Sequence, residues 1–384
     1  MQNKTVLVTG EPIFLKRHEF LFRAMSQHFE NINFLPRDKE WYEYTLPRIL
    51  IKALYTIRTG SLSKANAYFQ KNKIAFILKS QRTEQQIKQM QFRPDIVFHI
   101  FGTYSPFLHK SDIPYVIYLD YTVALAEKKW SGWAYFINAQ QRENWVECER
   151  RTYTLAQHIF CMSSIVKKSL IQDYSIEPEK ITVVGSSGDF QLPYVGEKQF
   201  GSQQILFNGS DFKRKGGDLV IAAFKKVKQA IPSAKLIIIG KKLPLNENED
   251  GIENPGHVSS RADIHNLFLN TDLVIAPAYC DPFPTFLMEA MNYGIPCIVS
   301  ANDGMPEIVT DKETGIVISE PTADVLANHI IDLLNNPLLL TSMSHAARDK
   351  IKNKLNWNKI AEQIAKQIAE ILSEKVPATL SKGN

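Results

Sequence analysis

The sequence predicts an α/β protein made of two doubly wound domains. Three observations carry that expectation. Short apolar runs alternate with amphipathic stretches through both halves of the chain. A segment rich in Gly, Ser and Pro, Gly185–Gln203, separates the two series. The second series opens with a strand that leads directly into a glycine-rich loop. Alternation of this kind gives parallel sheets covered by helices, whose strands are apolar throughout because both faces are buried.

The elements follow in order. Thr5–Thr9 is a short β-rich run, and His18–Phe29 has helical apolar spacing. Asp95–Ile100 and Tyr115–Leu119 are apolar runs that begin after Pro94 and Pro114; His158–Met162 and Ile181–Val184 are two more. Past the interdomain linker, Ile205–Phe207 is a strand, Leu219–Ala230 a helix and Lys235–Ile239 a strand that ends at Gly240. Ala262–Leu269 is a helix and Leu273–Ala276 a strand. Pro284–Tyr293 is a helix with its proline in the first turn, where the missing N–H costs least. Pro296–Ser300 is a strand, Ala323–Leu334 and Ser342–Lys352 are helices, and Trp357–Leu372 is a final amphipathic helix. After Glu374 the chain is polar and expected to fray.

With 384 residues, 44% hydrophobic and 22% charged, the chain suits two globular cores rather than a disordered polymer. Cys148, Cys161, Cys280 and Cys297 include no CxxC pair, so neither a zinc site nor a disulfide framework is expected. Reduced thiols in the cytoplasm are the expectation. The N-terminal Met1-Gln-Asn-Lys4 leads straight into Val6-Leu-Val8 without a signal-peptide core, and no apolar run reaches the roughly 18–20 residues of a spanning helix. A cytoplasmic protein, or one peripheral on the inner face of a membrane, is therefore expected.

The net charge of +5 is uneven. Met1–Phe190 holds 25 basic against 18 acidic residues, which leaves 20 against 22 for the remainder. Arg48–Arg93 alone carries ten basic residues and one acid, Glu84. Two readings stand: a solvated lysine-rich face, or a surface for anionic lipid, anionic glycan or a phosphorylated acceptor. No nucleic-acid module accompanies the charge. Within this stretch, Leu46–Arg58 is amphipathic and reads first as a helix packed on a core, second as one lying on an anionic membrane.

The chemistry-bearing segment is Asp281-Pro-Phe-Pro-Thr-Phe-Leu-Met-Glu289. Asp281 stays on the loop after a strand, and Glu289 falls about one turn into the next helix. That spacing aims two carboxylates and a helix N-terminus at one place. Carboxylates suit sugar hydroxyls, and helix N-termini suit phosphate. The combination describes a nucleotide-sugar site. No DxD appears for a metal; Lys213-Arg-Lys215 on the Gly-rich loop supplies cations instead.

These residues resemble a known pattern. Asp281 to Glu289 resembles the E-x7-E signature of the retaining glycosyltransferases of family four, which have the GT-B fold, with Asp in the first place. Asn208-Gly209 through Lys215-Gly-Gly217 resembles that family's phosphate loop, and Asp303-Gly-Met-Pro-Glu307-Ile-Val309 with Thr314-Gly315 its GxPEIV…TG segment. The resemblance implies two Rossmann-like domains facing across a cleft, with the last helix crossing back to the first domain. The boundaries are then 1–190 for the acceptor domain, 191–355 for the nucleotide-sugar domain, and 356–384 for the crossover helix and tail.

The resemblance also implies roles: Lys215 on the diphosphate, Glu289 on the ribose hydroxyls, Asp281 on the transferred hexose, and the N–H groups of Thr285 and Phe286 on sugar or phosphate oxygens. Gly209 and Arg214 complete the loop's contribution. The chain departs from the family at Ser210, where a second cation usually stands and where Arg214 or Lys213 is the substitute, and at Pro284, where Gly is common. His257-Val258-Ser259 falls where the base is contacted, and Glu307 is expected to anchor its own loop.

The N-terminal half is less legible. Its first loop is Gly10-Glu-Pro-Ile-Phe-Leu-Lys16 rather than Gly-Gly, and Asp120 stands where relatives carry a His-containing segment. Asp120 is a candidate for contacting the transferred sugar or acceptor hydroxyl, with a turn or helix-cap role as the alternative. His99 and Gly102 end another strand, and a structural His is expected there. Trp130, Trp133, Tyr135 and Phe136 suit either a sugar acceptor or core packing.

The function implied is metal-independent, retaining transfer of a hexose from a UDP- or GDP-sugar to a glycan, lipid-linked or small hydroxyl acceptor, with no bound cofactor required. The alternatives are a sugar-nucleotide epimerase or phosphorylase on the same architecture, or a non-catalytic sugar-nucleotide sensor or partner subunit.

Overall fold

A computed structural model of the chain describes residues 4–130, 132–244 and 250–374; the polar tail expected after Glu374 and the first three residues lie outside these. The chain divides into two compact units. One comprises Met1–Val184 and Ile360–Asn384, the other Gly185–Lys359.

The first unit holds a six-stranded parallel sheet. Its strands are β1 (Thr5–Gly10), β2 (Asn31–Pro36), β3 (Ile96–Ile100), β4 (Tyr115–Leu119), β5 (His158–Cys161) and β6 (Ile181–Val183), in the order β2-β1-β3-β4-β5-β6. β3, β4 and β5 are buried at every position, which is why they read as unbroken apolar runs. β2 escaped the sequence reading. As an edge strand it keeps Asn31 and Phe34 exposed and ends at Pro36, so its pattern resembles a loop.

The second unit holds β7 (Gln204–Asn208), β8 (Lys235–Ile239), β9 (Ile252–Gly256), β10 (Leu273–Ala276), β11 (Cys297–Ser300) and β12 (Gly315–Ile318), parallel in the order β12-β11-β10-β7-β8-β9. Phe207, Leu236, Ile275 and Ile298 of the sheet bury against Val220, Phe224, Val227, Leu326 and Ile330 of two covering helices. β9, which contains Pro255, and β12 are the outer strands and also went unread. The strand order turns back between β7 and β10. In open α/β sheets such a switch point leaves a crevice beyond the strand ends that takes ligands.

The helix Trp357–Glu374 begins in the second unit and belongs to the first from Ile360 onward. Ile360, Ala361, Ile364, Ala365 and Ile368 form its buried stripe, the i, i+3/i+4 spacing that the sequence displays.

Two local expectations need correction. Pro284 is the N-cap of the helix Thr285–Asn292, with ψ 108°, rather than a first-turn residue. Its extended ψ leaves Thr285 as the first residue of the helix. The helix Thr45–Thr59 forms as expected, yet none of its residues is buried, so it is not the core helix it was read to be.

Candidate functional site

In the second unit, the loops after β7 and β10 flank the switch point. A recess there is lined by Asn208, Lys215, Ala276, Asp281, Phe286 and Leu287. Both loops are shaped by glycine. Gly216 has φ +76°, and a Cβ on it would lie 2.4 Å from the Pro277 carbonyl oxygen; one on Gly217 would lie 2.3 Å from the Phe212 ring. The two glycines let the loop after β7 press against the loop after β10 and start the helix Gly217–Ala230 at once.

Lys215 Nζ lies 3.3 Å from Asp281 Oδ2. Arg214 is buried. It donates from Nε to Asp211 (2.8 Å) and from Nη1 to the Cys280 carbonyl (2.6 Å), and Nη1 stands 3.5 Å from Asp281. Arg214 is therefore a strut between the two loops. Lys213 is exposed. The Gly209 N–H donates to the Ile239 carbonyl at 2.8 Å, and the Ser210 N–H to Asn208 Oδ1 at 3.1 Å. Gly209 thus offers close packing against Ile238 and Phe207 rather than an amide for a ligand. The cation that remains available on this loop beside Asp281 is Lys215.

Asp281 is fixed from behind. Its N–H donates to Asp303 Oδ2 at 2.9 Å, and the Gly304 N–H donates to the Pro282 carbonyl at 3.1 Å. The third motif thus buttresses the first. Glu307 is half-buried on the short helix Met305–Ile308 that follows. The backbone N–H groups of Thr285 and Phe286 make no hydrogen bond among the described residues, as first-turn amides do not.

Glu289, on the same helix, is recessed. Burial and the nearby Asp189 raise its pKa to about 7, against the opposing pull of the Asp189 N–H at 3.4 Å, the Thr285 side chain and Lys215. It is a carboxyl group poised between its two states at neutral pH.

The sequence reading missed Gly188 and Asp189. They lie in the stretch taken as linker, and they cover Glu289: a Cβ on Gly188 would lie 2.7 Å from Glu289 Cγ. Trp357 Nε1 holds the Gly188 carbonyl at 2.9 Å, and Ser187 Oγ holds the Leu355 carbonyl at 2.9 Å. A lone glycine among others in Gly185–Gln203 gave the only signal. His257 is exposed, just ahead of Ser260, which caps the helix Arg261–Asn270.

In the first unit, Asp120 sits half-buried directly after β4. The N-cap of the following helix Val123–Lys129 is Thr122, whose Oγ1 accepts the Leu125 N–H at 3.1 Å. His99 is structural. It is fully buried, with Nδ1 2.7 Å from the Thr9 hydroxyl and Nε2 2.9 Å from the Tyr104 carbonyl, and burial lowers its pKa to about 4. Gly102 packs on Tyr153, where a Cβ would lie 2.8 Å from the hydroxyl. The first loop is closed by charge: Glu11 pairs with Arg37 at 2.8 Å and Lys79 at 3.3 Å, and Arg37 also pairs with Glu43 at 2.6 Å. Lys71 Nζ lies 5.7 Å from the centre of the Phe136 ring, and Trp133 packs edge-on against Tyr121, 6.0 Å between ring centres.

Among the described residues no cluster of three or more His, Cys, Asp or Glu side chains suits a metal, and no helix is long and apolar enough to cross a membrane. All four cysteines are free.

Two doubly wound parallel sheets, the second carrying a cationic loop and two carboxylates at its switch point, define a GT-B protein. The chain belongs to the group 1 glycosyltransferases: residues 195–350 match the model for glycosyl transferases group 1, and residues 57–186 that for glycosyltransferase family 4. It is 25% identical over 256 residues to D-inositol 3-phosphate glycosyltransferase of Corynebacterium aurimucosum, covering 60% of this chain and 61% of that one. It is 26% identical to the lipopolysaccharide glucosyltransferase WaaG of Escherichia coli over 61% of this chain and 68% of WaaG. The chain thus spans about three fifths of the first of these relatives. Among solved structures, sucrose-phosphate synthase from Thermosynechococcus elongatus superposes with a TM-score of 0.67 at 13% identity, over 97% of this chain and all of that one. Anabaena HepE, solved in complex with UDP, gives 0.64 at 15% identity, over 95% and 100%. At these identities the structures speak for the fold alone.

Proposed function

We propose that the protein is a retaining, metal-independent hexosyltransferase that uses a UDP- or GDP-sugar, with 191–355 as the donor domain, 1–190 as the acceptor domain and 356–384 as crossover helix and tail. The observation that carries this reading is the meeting of Lys215, Asp281 and Glu289 at the switch point of the second sheet, next to the unpaired first-turn amides of Thr285 and Phe286. Relatives named for glycosyl transfer support the donor class.

In this reading the donor diphosphate lies against Lys215 and the Thr285 and Phe286 amides, which oppose the charge that grows as the bond to the anomeric carbon breaks. Glu289, as carboxylate, accepts from the ribose hydroxyls, and Asp281 from the hexose. The acceptor hydroxyl, aided by Asp120, attacks the anomeric carbon on the face the diphosphate leaves. Its proton passes to the departing phosphate oxygen, so the new bond keeps the old configuration. Gly209 and Arg214 act by holding the loop's shape.

The test is a panel of UDP- and GDP-sugars with a chelator present, following the thermal midpoint and donor hydrolysis. A selective rise in midpoint with slow, chelator-resistant hydrolysis and α-configured product from an α-donor supports the reading. Absence of any shift, or loss of turnover in chelator, rejects it.

A further inference from the structure

Glu149 is a buried carboxyl group to which the transfer chemistry gives no task. It lies on the helix Ala139–Leu155 of the first unit and is 4% exposed. A carboxyl group so placed is costly unless hydrogen bonds meet it. Here they do. The hydroxyl of Tyr174, last residue of the helix Ser164–Tyr174, donates to Glu149 Oε2, and the Val123 N–H donates to the same carboxyl group. Burial raises the Glu149 pKa to about 7, opposed by Tyr174, by Val123 and by the charge of Lys71.

These bonds converge on one short stretch of chain. The helix Val123–Lys129 begins three residues after Asp120, and its first amides have no partner within the helix. Side chains take them up in turn: Glu149 that of Val123, the Tyr174 hydroxyl that of Ala124 at 3.1 Å, and Thr122 Oγ1 that of Leu125 at 3.1 Å. Thr122 Oγ1 also lies 2.7 Å from Ser169 Oγ, which donates to Asp173 at 2.8 Å. The Tyr174 hydroxyl thus accepts from the helix start and donates to Glu149.

Asp120 is coupled to the same network. Tyr153 packs edge-on against Tyr174, ring centres 5.1 Å apart; it is fully buried, and its hydroxyl has no hydrogen-bond partner among the described residues. Burial, Glu149, Tyr174 and Asp120 all push the Tyr153 pKa up. Both carboxylates therefore act on one hydroxyl. Filling the space at position 149 needs no carboxylate, since an apolar side chain of similar volume does that. Orienting the Val123 N–H and the Tyr174 hydroxyl does need an acceptor.

We infer that Glu149 is a positioning residue for Asp120: with Tyr174 it fixes the start of the helix Val123–Lys129, and thereby the loop Asp120-Tyr121-Thr122 that presents Asp120 to the acceptor hydroxyl. Because this role rests on the proposed part of Asp120 in transfer, the test separates the two.

The experiment uses the full chain, the UDP- or GDP-sugar that the donor panel selects, and water as the acceptor. Asp120→Asn, Glu149→Gln, Tyr174→Phe and the double variant D120N/E149Q are compared in three ways: donor hydrolysis at saturating donor, donor Kd, and amide hydrogen exchange in peptides covering residues 120–125. Tyr174→Phe keeps the test open if Glu149→Gln fails to fold. Each single variant should slow hydrolysis by at least about tenfold, as expected for a lost hydrogen bond to a charged group, with donor Kd unchanged within about twofold. D120N/E149Q should be no slower than D120N, because both changes act through one group. Residues 120–125 should exchange faster than wild type in E149Q and Y174F. Slow hydrolysis by D120N with wild-type hydrolysis by E149Q or Y174F, multiplying effects in the double variant, or slowed hydrolysis with unchanged exchange would overturn the inference and leave the transfer reading standing. Wild-type hydrolysis by D120N would remove Asp120 from the chemistry and the positioning role with it. No hydrolysis of any donor by the wild type would reject the hexosyltransferase reading and this inference together.

Discussion

Lys215 Nζ and Asp281 Oδ2 stand 3.3 Å apart, joining the loop after β7 to the loop after β10 across the switch point. The two side chains are each about 14% exposed, so the pair is shielded but reachable. In the proposed reading, removing the cation leaves a departing diphosphate without its nearest fixed charge. Lys215→Ala should lower kcat/KM by about 10²-fold or more, in the range seen when one fixed donor to a developing charge is lost. Its thermal midpoint should stay close to wild type, because Arg214 still ties the loop to Cys280. Steady-state kinetics and a thermal melt check both, and unchanged turnover would remove Lys215 from the chemistry.

In the proposed reading, Glu289 makes donor affinity depend on pH. Its pKa, raised to about 7 by burial and by Asp189, leaves it largely protonated at pH 6 and ionised by pH 8. A sugar-nucleotide diphosphate ester has no phosphate proton that titrates in this range. Binding that requires the carboxylate should therefore tighten as pH rises from 6 to 8, with release of a proton. Glu289→Gln should flatten that profile and weaken binding at pH 8. Isothermal titration in two buffers of different ionisation enthalpy measures the proton directly. In the unliganded protein the same raised pKa makes stability fall as pH climbs from the unfolded value of 4.5 through about 7, above which the full loss is in place.

Gly188→Ala would set a methyl group 2.7 Å from Glu289 Cγ and 3.1 Å from its backbone nitrogen. Backbone on one side leaves little room to yield, so Glu289 must shift. The expected outcome is a rise in donor KM of about tenfold, on the order of one displaced charged hydrogen bond. Trp357→Phe, which loses the bond to the Gly188 carbonyl, should move KM the same way by less. Donor titration of both variants decides it.

Arg37 is 5% exposed at its side chain and bridges Glu11 and Glu43, with Lys79 completing the cluster. Its own pKa rises further because the two carboxylates outweigh the cost of burial. Arg37→Ala strands two carboxylates in a recessed place and should cost about 3–5 kcal/mol. Arg37→Met fills the volume and leaves the same imbalance, so it should also destabilise. Urea melts give the values; a change below about 1 kcal/mol would show that water already screens the cluster.

The sequence alone determined the α/β class, the buried central strands and the three motifs of the second unit. Each of those is written in one continuous stretch: an apolar run, a turn with its glycine or proline, and a helix with its acid at fixed spacing. Edge strands β2 and β9 stayed hidden because exposed positions break their apolar signature, whereas β12 is apolar with no exposed residue and simply went unread. Only the tertiary structure decided that Arg214 faces inward to Cys280, that Gly188 lies over Glu289, and that the helix Thr45–Thr59 turns its leucines outward. Local pattern says that a helix has an apolar face, or that a loop is rich in glycine. What that face or glycine touches depends on residues far away in the chain, and so does the pKa of a carboxyl group whose value is set by what covers it.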